Sequence, residues 1–231
     1  MWRSRLDGSE KQQLTASPFV AALPAWSPDG RQIAFVSAEP DKNQQIYLVS
    51  AGGGPPQELA VAERNALRPN WAPDGNSILF ADLAGPPSSS IRSVDLKSKK
   101  VSTLPGSQHM LWPALSPDGH YVAAASMDGQ KLMLFDMTTL TWAELANASI
   151  GFPQWSSDSK YVYFDSGLSA EPVISRVRIA DRKLEEVARF KGLRRVITPW
   201  ISWSGLTPDG SPLLLRDTGT QEVYALDFEA P

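Results

Sequence analysis

The chain contains no cysteine, which excludes disulfides, thiolate metal sites and thiol nucleophiles and leaves burial alone to hold the fold. It has two histidines, His109 and His120, so there is little material for imidazole catalysis or metal ligation. No window approaches the roughly 20 apolar residues of a membrane-spanning helix. The opening Met1-Trp2-Arg3-Ser4-Arg5-Leu6-Asp7-Gly8 lacks the apolar stretch of a signal peptide. A soluble chain with no membrane partner is expected, its compartment, cytoplasmic or periplasmic, left open. An excess of positive charge is also missing. The 22 Lys and Arg face 25 Asp and Glu, for a formal net charge of -3, and the basic residues are scattered, so a phosphate backbone finds no field to bind it. Nucleic acid is therefore not an expected partner of this segment. Sustained helical periodicity is lacking too; the best candidate, residues 182 to 191, fits better as strands and a turn.

What is present is the composition of a packed domain, 42% hydrophobic and 20% charged over 231 residues, together with a repeat. Trp26-Ser27-Pro28-Asp29-Gly30 returns as Trp71-Ala72-Pro73-Asp74-Gly75, Leu115-Ser116-Pro117-Asp118-Gly119, Trp155-Ser156-Ser157-Asp158-Ser159 and Leu206-Thr207-Pro208-Asp209-Gly210. The intervals are roughly 40–50 residues, the length of a four-stranded propeller blade. Proline presets φ early in a turn, aspartate caps the turn through its carboxylate, and glycine accepts positive φ where the chain reverses. Asp29, Gly30, Asp74, Gly75, Asp118, Gly119, Asp158, Asp209 and Gly210 are thus expected to be structural turn residues.

A short apolar strand follows each turn, as in Ile33-Ala34-Phe35-Val36, Ile78-Leu79-Phe80 and Tyr161-Val162-Tyr163-Phe164. Continuous apolarity means that both faces are buried, as in a sheet sandwiched between neighbouring sheets. A third strand comes about ten residues later, and a more polar fourth closes the unit, as expected of the strand nearest solvent. The expected fold is all-β: a propeller of four-stranded antiparallel blades, about five in this chain. It forms a single domain over 1–231, with a partial blade at 1–15 and blades at 18–60, 62–105, 107–146, 148–189 and 193–231.

The pattern Trp-Ser-Pro-Asp-Gly, then Ile-Ala-Phe, then Ile-Tyr-Leu and Gly-Gly resembles the TolB-like, Pro-Asp variant of the WD-like propeller repeat, over nearly the whole chain. The closing stretch from Gly205 to Asp227 is similar to the C-terminus of bacterial propeller proteins that carry an N-terminal winged-helix, regulator-like domain, for which nothing here matches. The resemblance implies a non-enzymatic scaffold that binds a protein, peptide or small ligand, the sensory or interaction part of a larger bacterial protein. A second class, the gating propeller of a prolyl-oligopeptidase-like serine peptidase, implies a catalytic domain outside this sequence. No Gly-x-Ser-x-Gly elbow occurs here, and no catalytic residue, cofactor or metal is expected.

Residues 2 to 15 align with the third and fourth strands at 91 to 104, and the last blade stops after its third strand at 223 to 227. Residues 11–15 are expected to complete the blade of residues 196–228 and tie the ring shut. That leaves the strand of residues 1–8 surplus. Either the chain belongs to a larger propeller, or that strand is displaced, or it pairs between molecules and supports self-association.

Two further groups are candidates for binding. Asp41, Asp82, Asp165 and Asp217 are read as loop residues after second strands, where calcium could sit, although the spacing lacks an EF-hand pattern. Residues just before each motif line the central channel. Of these, Arg68, Asn70, Trp112, Phe152, Gln154, Trp200 and Trp203 have the composition of a binding hot spot, and the competing expectation is that they plug the channel. The motif tryptophans Trp26, Trp71 and Trp155 are expected in the core between blades.

Overall fold

The repeat folds as its spacing requires. In the computed structural model, residues 1–5, 7–38, 42–59, 65–83, 89–166, 173–193, 204–207, 209–214, 216, 217 and 219 are described. They open with a two-stranded hairpin, β1 (Trp2–Arg3) and β2 (Gln12–Gln13). Blade 1 follows as β3 (Ala22–Trp26), β4 (Gln32–Ser37), β5 (Gln45–Ser50) and β6 (Gln57–Glu58), and blade 2 as β7 (Asn65–Trp71), β8 (Ser77–Leu83), β9 (Ser90–Asp95) and β10 (Val101–Thr103). Blade 3 contains β11 (Met110–Leu115), β12 (Tyr121–Ser126), β13 (Lys131–Asp136) and β14 (Thr141–Asn147). Blade 4 contains β15 (Gly151–Trp155), β16 (Tyr161–Asp165), β17 (Val173–Arg178) and β18 (Leu184–Arg189). A final pair, β19 (Ser204–Leu206) and β20 (Pro212–Leu214), begins the next repeat. Each complete blade is an antiparallel meander in which the first strand is innermost, and no helix occurs among the described residues. Residues 182–191 form a turn and β18, as the sequence suggests.

Blades stack face to face through apolar layers. Val36 and Ile46 of blade 1 meet Ile78 and Phe80 of blade 2, Leu79 and Ile91 of blade 2 meet Val122 and Phe135 of blade 3, and Ala125 and Leu132 of blade 3 meet Val162 and Phe164 of blade 4. Successive side chains of a strand point to opposite faces, so a strand packed on both sides must be apolar throughout. Phe35, Phe80 and Phe135 are fully buried, each contributing roughly 1.5–3 kcal/mol. Blade 4 breaks the pattern on its far face, where Tyr161, Tyr163, Arg176 and Arg178 stand across β16 and β17. There the Arg176 guanidinium lies 4.4 Å over the Tyr161 ring and is held by Glu185 at 2.8 and 2.9 Å.

The motif turns are closed by side chains. In blade 1 the Asp29 carboxylate accepts from the Ser27 hydroxyl at 2.6 Å and the Arg31 N–H at 3.0 Å, while the Gln32 N–H donates to the Ser27 oxygen at 2.9 Å. Ser116 with Asp118, Ser156 with Asp158 and Thr207 with Asp209 repeat this exchange. Blade 2 has Ala72 in place of the hydroxyl, so Asp74 takes the Asn76 N–H at 2.9 Å. The hydroxyl donors hold Asp29, Asp158 and Asp209 below the ordinary aspartate range. Gly30, Gly75, Gly119 and Gly210 all take positive φ. Each of these carboxylates accepts hydrogen bonds from within its own turn.

The leading hairpin pairs Trp2 with Gln13 and Arg3 with Gln12, the relation expected of a third and fourth strand. It sits against blade 1 on the side away from blade 2, where Met1 and Leu14 pack with Ile33, Phe35 and Tyr47. Arg3 donates to the Ala51 carbonyl at 2.6 Å and Gln12 to that of Gly52 at 2.8 Å. The strand of residues 1–8 is thus engaged with its own chain. Residues 223–227, on which the expected closure with residues 11–15 depends, lie outside the described residues.

Candidate functional site: the channel cavity

The inner strand of each complete blade carries the same interruption. Leu23-Pro24 sit opposite Phe35, Arg68-Pro69 opposite Phe80, Trp112-Pro113 opposite Ala124 and Phe152-Pro153 opposite Phe164, so two residues face one and the ladder register shifts. These are β-bulges. Proline fits because the bulged position needs no N–H for the ladder. The residue before it takes positive φ in every case, 51° at Leu23, 49° at Arg68, 55° at Trp112 and 43° at Phe152. Bulky residues seldom adopt that conformation, which costs on the order of 1–3 kcal/mol. The sequence carried the signal in a proline two residues before each of the first four motifs.

Three of the bulged side chains meet. The Trp112 and Phe152 ring centroids are 5.2 Å apart, and the Arg68 guanidinium lies 5.3 Å from the Phe152 centroid. Arg68, only 9% exposed, donates to the Trp112 carbonyl of blade 3 at 3.2 Å and to the Pro153 carbonyl of blade 4. Burial drives its pKa down to about 10, opposed by the charge of Asp165, so it is still cationic at neutral pH. Asp165 is a group that sequence reasoning misplaced. It ends β16 and is fully buried rather than set on a loop, and its place opposite the residue before the bulge is held by Val36, Ala81 and Ala125 in the other blades. Asp82 likewise lies inside β8, buried, 2.7 Å from Arg92. Neither residue is placed for a loop calcium site, Asp41 lies outside the described residues, and no group of three or more potential metal ligands occurs among the described residues.

The remaining candidates serve junctions between blades. Asn70 accepts from the Leu115 N–H at 2.9 Å through Oδ1, and Gln154 donates through Nε2 to the Ser204 carbonyl at 3.0 Å. Trp71, 8% exposed, donates its indole N–H to the Ala25 carbonyl at 3.0 Å, and Trp155 to that of Ala114 at 2.8 Å. Trp26 departs from the core expectation and is 50% exposed. Trp200 and Trp203 lie outside the described residues.

Beside the Arg68 cluster is a cavity of about 390 Å3. Its walls are the inner strands of four blades, with Leu23 to Ala25, Arg68 to Asn70, Ala114 and Leu115, and Phe152 to Trp155, and Pro117 of a motif turn at its edge. The structure therefore brings Arg68, Asn70, Phe152 and Gln154 to one cavity, with Trp112 behind Phe152. Arg68 is committed to carbonyls, while the Nδ2 of Asn70 and the Oε1 of Gln154 have no protein partner among the described residues. An enclosure of mixed polar and apolar lining, with one amide donor and one amide acceptor, suits a neutral polar segment better than an isolated charge.

Comparison with known proteins places this architecture. Solved structures of similar fold include a putative TolB from Agrobacterium tumefaciens, at 19% identity and TM-score 0.69, covering 82% of this chain and 73% of that one. TolB from Acinetobacter baumannii matches at 19% identity and TM-score 0.72, over 90% of this chain and 51% of its own. A puromycin-hydrolyzing peptidase from Mycobacterium tuberculosis matches at 22% identity and TM-score 0.60, over 90% of this chain and 35% of its own. This chain thus spans about half of the second protein and about a third of the third. Residues 2–150 match the family model of the TolB beta propeller domain, and the chain belongs to that family.

Proposed function

We propose that this propeller is a non-catalytic binding scaffold whose channel cavity receives a segment of a protein or peptide partner, or a small ligand of similar polarity. The observation that carries this reading is the cavity itself, walled by inner strands of four blades and offering the Asn70 and Gln154 amides among apolar side chains. Its identity as the sensory or interaction half of a larger bacterial protein rests on the likeness of residues 205–227 to regulator-linked propellers. The peptidase-gating reading gains nothing from the structural match to a peptidase, which at 22% identity concerns the fold.

The test is a peptide library displayed on phage and selected against the immobilised chain, with recovered peptides then measured against an Ala25→Trp variant that fills the cavity. Peptides that bind the wild type and lose binding to Ala25→Trp, while the exposed control Leu140→Glu leaves it intact, support the reading. Peptides indifferent to Ala25→Trp would place binding elsewhere and overturn it.

A further inference from the structure

The three junctions between complete blades are not filled alike. Where blade 3 meets blade 4, Tyr121 at the start of β12 stacks on Trp155, the first motif residue of blade 4, with ring centroids 6.2 Å apart. Ile179, just past β17, packs into the same layer. Where blade 1 meets blade 2, the corresponding places hold Gln32 and the buried Trp71, and Leu96 packs into the layer. Where blade 2 meets blade 3, the side chains are shorter. Ser77 occupies the register position of Tyr121, and Leu115 the motif position of Trp155. Ser93 stands where blade 3 has Leu134, a loss that Leu79 opposite it makes good, since blade 3 has Ala123 there. Met137, the counterpart of Leu96 and Ile179 by its backbone bond, stays 38% exposed and outside the layer. The outcome is a cavity of about 340 Å3 lined by Pro73, Ser77, Leu79, Leu104, Leu115 and Met137, with Asp74 and Asp118 of the two motif turns also on its wall. Leu115 is the one lining residue it shares with the channel cavity.

We propose that this cleft between blades 2 and 3 is a binding site for a small aromatic amine, independent of what the channel cavity receives. A planar ring of indole size lies between Ser77 and Leu115, and a short protonated amine reaches Asp74 and Asp118. The neighbouring junction defines the ring. There an aromatic pair, Tyr121 and Trp155, fills the place that Ser77 and Leu115 leave open, so a flat aromatic group recovers the contacts that the blades forgo. The Met137 thioether is suited to the edge of such a ring. Charge defines the substituent. Arg92 also reaches the cavity, but its charge is met by Asp82 at 2.7 Å. Asp74 and Asp118 therefore set the sign of the local field, and Asp95 adds a further negative charge beside Asp74. A cation is drawn in and an anion repelled. The size and the mostly apolar lining with a few polar groups are those of a small-molecule site.

The experiment uses the whole chain with 13C-labelled methionine methyls, the Met137 resonance assigned through Met137→Leu, and as probes tryptamine, indole and indole-3-acetate. The Met137 methyl is expected to shift saturably with tryptamine, at higher concentration with indole, and least readily with indole-3-acetate. Ser77→Tyr, which supplies the ring that blade 3 carries at this register, should fold and abolish the shift. Asp74→Asn keeps an oxygen for the Asn76 N–H and should weaken tryptamine about two- to fivefold, one exposed ion pair, while leaving indole unchanged. Ala25→Trp, in the channel cavity, should leave all three titrations as they are. An unmoved Met137 methyl with tryptamine would overturn the proposal. So would a Ser77→Tyr variant of native Tm that still binds tryptamine like the wild type. If Ser77→Tyr does not fold, the wild type and Asp74→Asn decide: indole or indole-3-acetate binding as tightly as tryptamine, or tryptamine indifferent to Asp74→Asn, overturns it as well.

Discussion

Replacing Arg68 by methionine tests whether the channel cluster holds the blades together. The side chain keeps its length and apolar stem but loses the guanidinium that bridges the Trp112 and Pro153 carbonyls. Each charge-assisted bond is worth roughly 1.5–3 kcal/mol, and the cation over Phe152 adds about 1–2 kcal/mol in a desolvated setting. Against this, the variant escapes the desolvation that pulls the guanidinium pKa down, while it removes a positive charge on which Asp165 acts. The net cost of breaking such a buried charge is about 3–5 kcal/mol, or somewhat less if the methionine packs well. For a chain of this size each kcal/mol moves the melting point by roughly 2–4 °C, so a fall of roughly 6–20 °C is expected. Differential scanning calorimetry gives the melting point, and amide exchange should locate the damage in β11 and β15, where the bridged carbonyls lie, before β4 and β5. Arg68→Lys should fall between, since one ammonium cannot span both carbonyls in the plane of a guanidinium. A variant melting within about 2 °C of the wild type, or exchange rising uniformly in all blades, would refute the role given to Arg68.

Other outcomes follow from the turns and the leading hairpin. Ala72→Ser restores the hydroxyl that the other motif turns use and should stabilise the chain by up to about 1 kcal/mol, read from urea denaturation; a loss of stability would contradict the turn geometry. The folded-state pKa values of Asp29, Asp158 and Asp209 lie below their unfolded values. Their contribution is therefore complete above about pH 4 and disappears as pH falls through the folded values. Urea midpoints should hold from pH 7 to about 5 and drop below about 4, with a shallower drop in a triple Asp→Asn variant; an acid limb unchanged in that variant would count against the caps. Deleting residues 1–5 removes β1, the Arg3 bond to Ala51 and the cover over Leu14. It should lower Tm and speed exchange in β4 and β5, and an unaltered exchange map would show that the hairpin contributes nothing.

The architecture was legible because its determinants are local. A Pro-Asp-Gly turn, an apolar run and a polar outer strand each occupy a few consecutive residues, and their return at blade length left little choice of fold. The candidate site was legible only as a zone. Arg68 closes contacts with residues 44 and 85 positions away, and no local pattern announces that an arginine in an inner strand will be spent on two carbonyls. Asn70 and Gln154 looked like binding groups, and each turned out to commit one end of its amide to a neighbouring blade. Asp165 was read as a loop residue because the apolar run ends at Phe164, but burial continues one residue further. Trp26 shares its motif with Trp71 and not its burial, which no local motif encodes.

The bulges have a consequence for how this channel can change. A ladder residue is tied to its partner, and a slip of one residue turns every side chain to the wrong face. A bulged residue stands outside that constraint, anchored by the proline after it. Leucine, arginine, tryptophan and phenylalanine occupy this one address in four successive blades, with the strands around them in equivalent register. The interior of the channel can therefore be rewritten one blade at a time, like interchangeable type in a fixed frame, while the scaffold that holds it stays the same.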